Sequence, residues 1–225
     1  MREQHVLPAD IERTSMAIIE EELRQRGIEI PQEKDAIVRR VIHTTADFDY
    51  AENLQFGENA VPAALDTLSS GGVTIITDTN MALAGISRPA MEKIGAKSCC
   101  FMADPVIEKV AAEKGCTRAV ASVDHGMKMY PHAFFVIGNA PTALLRLAAL
   151  IEEGCRPSLV VGVPVGFVNV IESKERIFDV CARCGVPAIV AFGRKGGSSV
   201  AAAIMNALLY TAADTLDPEK RGWKG

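Results

Sequence analysis

The sequence predicts an α/β fold of one domain spanning residues 1–225, with a mostly parallel five-stranded sheet, helices on both faces and additional N-terminal helices. Three observations predict it. From residue 73 onward, short apolar runs alternate with segments of helical period, the pattern of βαβ units. Each run is followed by Gly, Pro, Asn or Asp, residues that turn a strand into a helix. Hydrophobic residues make up 48% and aromatics only 5%, so small apolar side chains dominate and suit closely packed parallel strands.

The first helix is expected over 8–26, with Ile11, Met16, Ile18, Ile19 and Leu23 on its apolar face and Gly27 as its stop. A second covers 31–43; it opens on Pro31, carries acidic residues early and turns Ile37, Val38, Val41 and Ile42 inward. A third covers 58–69 and ends at Gly71-Gly72. Strands follow at 73–77, 98–102, 134–137, 159–163 and 188–192, each leading into a helix, for about eight helices in all. There is no low-complexity linker, charge block or internal repeat.

A net charge of −4 gives no basic footprint for nucleic acid, so an anionic ligand needs a local cluster of Arg and Lys. No apolar run reaches the ~18 residues of a membrane span, and MREQHVLPADIE lacks the apolar core of a secretory signal. A cytoplasmic protein is expected. Cys99, Cys100, Cys116, Cys155, Cys181 and Cys184 then read as reduced thiols. Cys181 and Cys184 have C-x-x-C spacing, but no second pair accompanies them and the histidines at 5, 43, 125 and 132 show no chelating spacing. No protein metal site is expected.

Chemistry concentrates in the segment 40–50. His43 sits at the end of an apolar helical pattern, and hydroxyls, carboxylates and aromatics follow it. Imidazole alone titrates near neutrality without perturbation, so His43 is a candidate to give and take a proton. Arg40, three residues earlier, shares its helix face and offers a planar clamp for a carboxylate. Two readings of His43 are open: proton transfer on an anionic ligand, or a helix-end histidine bonded to the last carbonyls. Arg39 points elsewhere and meets solvent. Asp47 and Asp49 suit loop hydrogen bonds better than a metal, and one of them could orient the imidazole. His125 and His132 flank a Met-rich turn and read as structural or surface residues, while His5 lies in a loose N-terminus.

In parallel sheets ligands bind beyond the carboxyl ends of the strands. The loops there read 78–81, 138–142, 162–166 and 193–199, all rich in Gly and small polar residues. The four together suggest a binding crevice, and the amides of the last loop with Arg194 and Lys195 would favour an anion. None carries a phosphate fingerprint: GRKGGSS lacks the P-loop spacing and no G-x-G-x-x-G follows a strand.

The stretch RVIHTTADFDYAENLQF resembles the signature of the precorrin-8X methylmutases, isomerases of cobalamin biosynthesis. IERTSMAII, ITDTNMALAGISR, IGNAPTALL, VVGVPVGFVNVIESKE and GRKGGSSVAAAIMNAL match further blocks in the same order, so the resemblance covers most of the chain. It implies migration of a methyl group from carbon 11 to carbon 12 of a corrinoid ring, without methyl donor, nucleotide or redox cofactor. Any cobalt would be carried by the substrate, and HTTADFDYAEN looks more like the cobalt-precorrin-8 branch than the metal-free one.

By the same resemblance His43 is the catalytic residue, while Arg40 and Ser15 bind substrate. Thr79, Asn80, Ser87, Arg88, Asn139, Lys195 and Gly196 are further pocket residues. Arg88, just before Pro89, is either a second carboxylate clamp or surface cover. The implied partners are a corrinoid polycarboxylate, a second copy in a homodimer, and neighbouring pathway enzymes at handover. Two alternatives stand beside this reading: a non-catalytic corrinoid carrier, and a phosphate- or nucleotide-binding α/β enzyme using GRKGGSS.

Overall fold

The computed structural model describes residues 7–222; His5 lies outside them. The chain opens with α1 (Pro8–Gln25), α2 (Gln32–Thr45), the single turn α3 (Tyr50–Asn53), a short strand β1 (Leu54–Phe56) and α4 (Ala60–Ser69). Strand and helix then alternate: β2 (Thr74–Thr77), α5 (Asn80–Gly85), α6 (Arg88–Ile94), β3 (Lys97–Cys99), α7 (Pro105–Lys114), α8 (Arg118–Met129), β4 (Phe134–Ile137), α9 (Pro141–Glu152), β5 (Leu159–Gly162), α10 (Val170–Cys184), β6 (Ala188–Ala191) and α11 (Ser198–Ala212). A 3-10 turn over Pro218–Arg221 follows.

The sheet has six strands in the order β1-β6-β5-β4-β2-β3, not the five expected. All neighbours are parallel except β1, which pairs antiparallel with β6 in the register Leu54↔Ala191, Phe56↔Ile189. Three residues are too few for a strand period to show in sequence, and tertiary pairing makes this one. The helix count also exceeds expectation, at eleven α-helices among the described residues. Two crossovers use two helices each. Ser87 caps α6 with its hydroxyl and Pro89 follows, which separates α6 from α5; Thr117 does the same at the start of α8. The strand expected at 98–102 is Lys97–Cys99 instead, because Phe101 and Met102 leave the ladder to pack under α8 and α9.

Alternation along each strand divides the core. Phe134, Val136, Val161 and Ile189 face α2, α4 and α11, while Phe135, Ile137, Val160 and Val190 face α8, α9 and α10. Both faces are covered, as a parallel sheet requires. The α11 helix is apolar nearly all round and buries Val200, Ile204, Met205 and Leu208, so α2 can lie over it. That stacking carries the end of α2 toward the sheet's carboxyl edge, where Lys195 of the β6–α11 loop meets Asp47.

Candidate active site

The last turn of α2 is closed without the imidazole. Ala46 adopts a left-handed φ of 55° and its N–H donates to Ile42 O at 2.7 Å. Thr44 Oγ1 donates to Arg40 O at 2.9 Å, and Thr45 Oγ1 to Val41 O at 2.8 Å. The carbonyls of Arg40, Val41 and Ile42 therefore have partners other than the imidazole, and α2 runs two residues past His43. His43 instead reaches across to α1, with Nδ1 2.7 Å from Ser15 Oγ. The helix-end reading of this histidine is thereby set aside.

His43 and Ser15 border a groove of about 390 Å³ between α1 and α2, walled by Ile11, Ile18, Ile42 and Phe48. The imidazole pKa is lowered, chiefly by partial burial of the ring, then by the Arg40 guanidinium, with Arg221 adding to the effect and Glu12 opposing it. A neutral imidazole at neutral pH follows. A serine partner matters here, because a hydroxyl can donate to Nδ1 or accept from it. Either tautomer is accommodated.

Arg40 lies one turn below His43, but its guanidinium is not open to solvent. It pairs with Glu12 at 2.7 Å, and Arg221 takes the other carboxylate oxygen at 2.6 Å. Both guanidinium groups lie over the Tyr210 ring, at 5.3 and 4.4 Å. Arg39, expected in solvent, is instead part-buried between Asp35 (2.7 Å) and Glu20 (2.8 Å). Asp47 and Asp49 do not orient the imidazole. Both accept from Lys195 Nζ at 2.6 Å, because the loop after α2 crosses the β6–α11 loop at that point. As loop residues they do behave as expected, Asp47 Oδ1 accepting from the Asp49 N–H at 3.0 Å.

The remaining candidates form a second group along the carboxyl edge of the sheet. The strand order reverses between β2 and β4, and that switch point is stitched shut. Buried Asp78 accepts from the N–H groups of Gly138, Asn139 and Ala140 at 2.7–2.8 Å, just before α9. Its carboxylate fills the place a phosphate would take at that helix start, and burial pushes its pKa up against the pull of the three amides. Thr79 caps α5 and bonds Ser198 Oγ at 2.8 Å, with Asn80 next to it at the helix start. Gly196 is pressed onto backbone: a Cβ there would lie 2.1 Å from Val163 O. The crevice expected from the four loops is therefore largely occupied by the protein itself, and the phosphate-enzyme alternative loses its cradle.

Ser87 caps α6, its N–H donating to Asn206 Oδ1 at 2.8 Å, and Arg88 is exposed beside it; neither borders the His43 groove. His132 is exposed, 3.4 Å from Arg156 O, and His125 meets Phe101 edge-on at 4.8 Å, so both are structural or surface residues. All six cysteines are free thiols, and burial pushes Cys181 up to about 12.

The precorrin-8X methylmutase (CbiC) family model matches residues 10–211. The chain belongs to this family. It is an isomerase, and relatives align along nearly its whole length. This methylmutase is 43% identical over 207 residues to the cobalt-precorrin-8 methylmutase of Salmonella typhimurium, covering 90% of this chain and 95% of that one. It is 36% identical over 202 residues to the precorrin-8X methylmutase of Pseudomonas aeruginosa, covering 88% and 93%. The crystal structure of the precorrin-8X methylmutase of Thermus thermophilus superposes with a TM-score of 0.80 at 37% identity, covering 91% and 98%.

Sequence reasoning missed three charged residues of this methylmutase. Glu12 is buried within the IERTSMAII block, and Arg221 reaches it from the far end of the chain. Lys174 is fully buried, donating from Nζ to Gly193 O (2.9 Å) and Lys195 O (2.8 Å), and desolvation lowers its pKa to about 8. Its signal was present in VIESKERIF, where Lys174 sits on the apolar face shared by Val170, Ile177 and Cys181.

Proposed function

We propose that this methylmutase moves a methyl group from carbon 11 to carbon 12 of a precorrin-8 macrocycle, with His43 exchanging a proton at ring C. One observation carries the reading: an imidazole kept neutral, with Nδ1 held by Ser15, on the wall of an apolar groove. That arrangement leaves Nε2 for the ligand. The migrating methyl stays on the substrate, so the bond broken at carbon 11 is balanced by the bond formed at carbon 12. No methyl donor or redox partner enters the balance, and no cofactor is part of this reading. His43 supplies or removes the proton that adjusts electron demand in the conjugated system, an effect typically worth about 10²–10⁴-fold. The apolar walls take an edge of the ring and exclude water from it.

Greater likeness to the Salmonella enzyme than to the Pseudomonas one supports cobalt-precorrin-8 as the substrate, with cobyrinic acid as product. The same reading includes a cytoplasmic setting, supported by six free thiols, and a homodimer that hands its product to the next pathway enzyme.

The test is an anaerobic absorbance assay with cobalt-precorrin-8 and with metal-free precorrin-8. Loss of the saturated centre at carbon 11 extends the chromophore, so conversion changes the spectrum. Faster conversion of the cobalt form supports the full reading; faster conversion of the metal-free form overturns the cobalt assignment. Binding of both without conversion makes the protein a carrier. His43→Ala should bind corrinoid and lose most turnover, and near-normal turnover would remove the proton-transfer role.

A further inference from the structure

The most elaborate charged cluster outside the groove is the Arg40–Glu12–Arg221 triad under His43. Glu12 is 8% exposed, yet it is charged and takes a guanidinium on each oxygen. Burying three charges is costly, and hydrophobic replacements of such triads are often equally stable, so fold stability alone is a poor reason for one. The ring of Tyr210 lies against both arginines and fixes them from the α11 side. The turn that brings Arg221 is itself clipped to α1, since Arg13 bonds Asp217 at 2.8 Å and Glu219 at 2.9 Å. Two cations and one anion leave one excess positive charge beneath the imidazole.

We propose that Glu12, Tyr210 and Arg221 are positioning residues for the His43 centre: they hold the Arg40 guanidinium one helical turn below the imidazole and make the C-terminal turn a working part of the site. The inference rests on His43 being the proton-transfer group.

The charges facing His43 from each packed element agree with this. From α1 come Glu12 and Glu22, the latter engaged by Arg26; from α2 comes Arg40; from the 3-10 turn comes Arg221. Asp47, in the following loop, is taken by Lys195. Arg221 favours the neutral ring and Glu12 favours the charged one. Their removal must therefore move the His43 titration in opposite directions. A packing role alone would not produce that sign pattern.

The experiment is an NMR titration of the histidine Cε1–H signals in the full chain, with His43 assigned by its loss in His43→Gln. Arg221→Met should raise the His43 midpoint, Arg221→Lys should return it toward wild type, and Glu12→Gln should lower it. His125 and His132 serve as internal controls of folding. An unmoved midpoint in folded Arg221→Met, or shifts of the same sign in the Arg221→Met and Glu12→Gln variants, overturns the proposal. If Arg221→Met does not fold, Glu12→Gln decides, and a midpoint that does not fall overturns it. Because the titration needs no substrate, shifts as expected without corrinoid conversion would sink the proton-transfer reading and leave only the electrostatic coupling of the triad to the imidazole.

Discussion

Ser15 Oγ stands 2.7 Å from His43 Nδ1, bridging two helices that the sequence separates by 28 residues. A carboxylate in that place would fix the proton on Nδ1 of the neutral ring and would also favour the charged imidazolium. The hydroxyl imposes no such choice. The neutral ring can present Nε2 with or without its proton.

Ser15→Ala should therefore lower kcat about 2–10-fold, the worth of one neutral hydrogen bond, with a smaller change in KM. Ser15→Thr should recover most of the loss. Steady-state kinetics separates the two parameters, and a change confined to KM would return Ser15 to a purely substrate-binding role.

The lowered pKa of His43 has a consequence for stability. Between the folded pKa and the unfolded value of 6.5, the unfolded chain binds more protons than the native one, so stability rises with pH. The contribution is complete above that window and fades as pH falls through it. His43→Gln should flatten the denaturant midpoint against pH across the window below 6.5. An unchanged slope would show that the ring titrates as it does in the unfolded chain.

Lys174 predicts a rise at the other end of the scale. Its pKa falls from 10.5 to about 8, so the native state gives up a proton earlier than the unfolded one. Stability should climb between about pH 8 and 10.5 by up to about 3 kcal/mol. Lys174→Met removes that climb and leaves the carbonyls of Gly193 and Lys195 without their donor. The variant should be less stable at pH 7, and the gap to wild type should widen toward pH 10. Parallel curves would mean that the amine is already well solvated.

Gly196→Ala should displace the β6–α11 loop, since the added carbon would collide with the Val163 and Pro164 carbonyls. The expected cost is about 1–3 kcal/mol from overpacking. Moving the loop also separates Lys195 from Asp47 and Asp49, so turnover should fall more than the stability loss explains. Wild-type thermal stability in this variant would show that the loop accommodates the methyl group elsewhere.

The strand–helix alternation after residue 73 was legible because the central parallel strands β4, β5 and β6 are short apolar runs buried on both faces. β1 was not, because Leu54-Gln55-Phe56 becomes a strand only when β6 lies beside it. At the site, His43 was legible from residue type and Ser15 from the family pattern. The role of Ser15 as a partner of the imidazole depended on the approach of α1 to α2, which no local spacing encodes. Asp47 and Asp49 were legible as loop hydrogen-bonding residues, but their partner is Lys195, 146 to 148 residues away, and not the imidazole. Arg40 was legible as a guanidinium on the right helix face, but its engagement by Glu12 was not.

The two outermost strands, β1 and β3, contain three residues each. A strand that brief presents little unpaired backbone to template another chain, which disfavours sideways growth of the sheet from copy to copy. The short edges steer any self-association toward helix and loop surfaces. The chain is protected in the same way against runaway fibre-like stacking at high concentration.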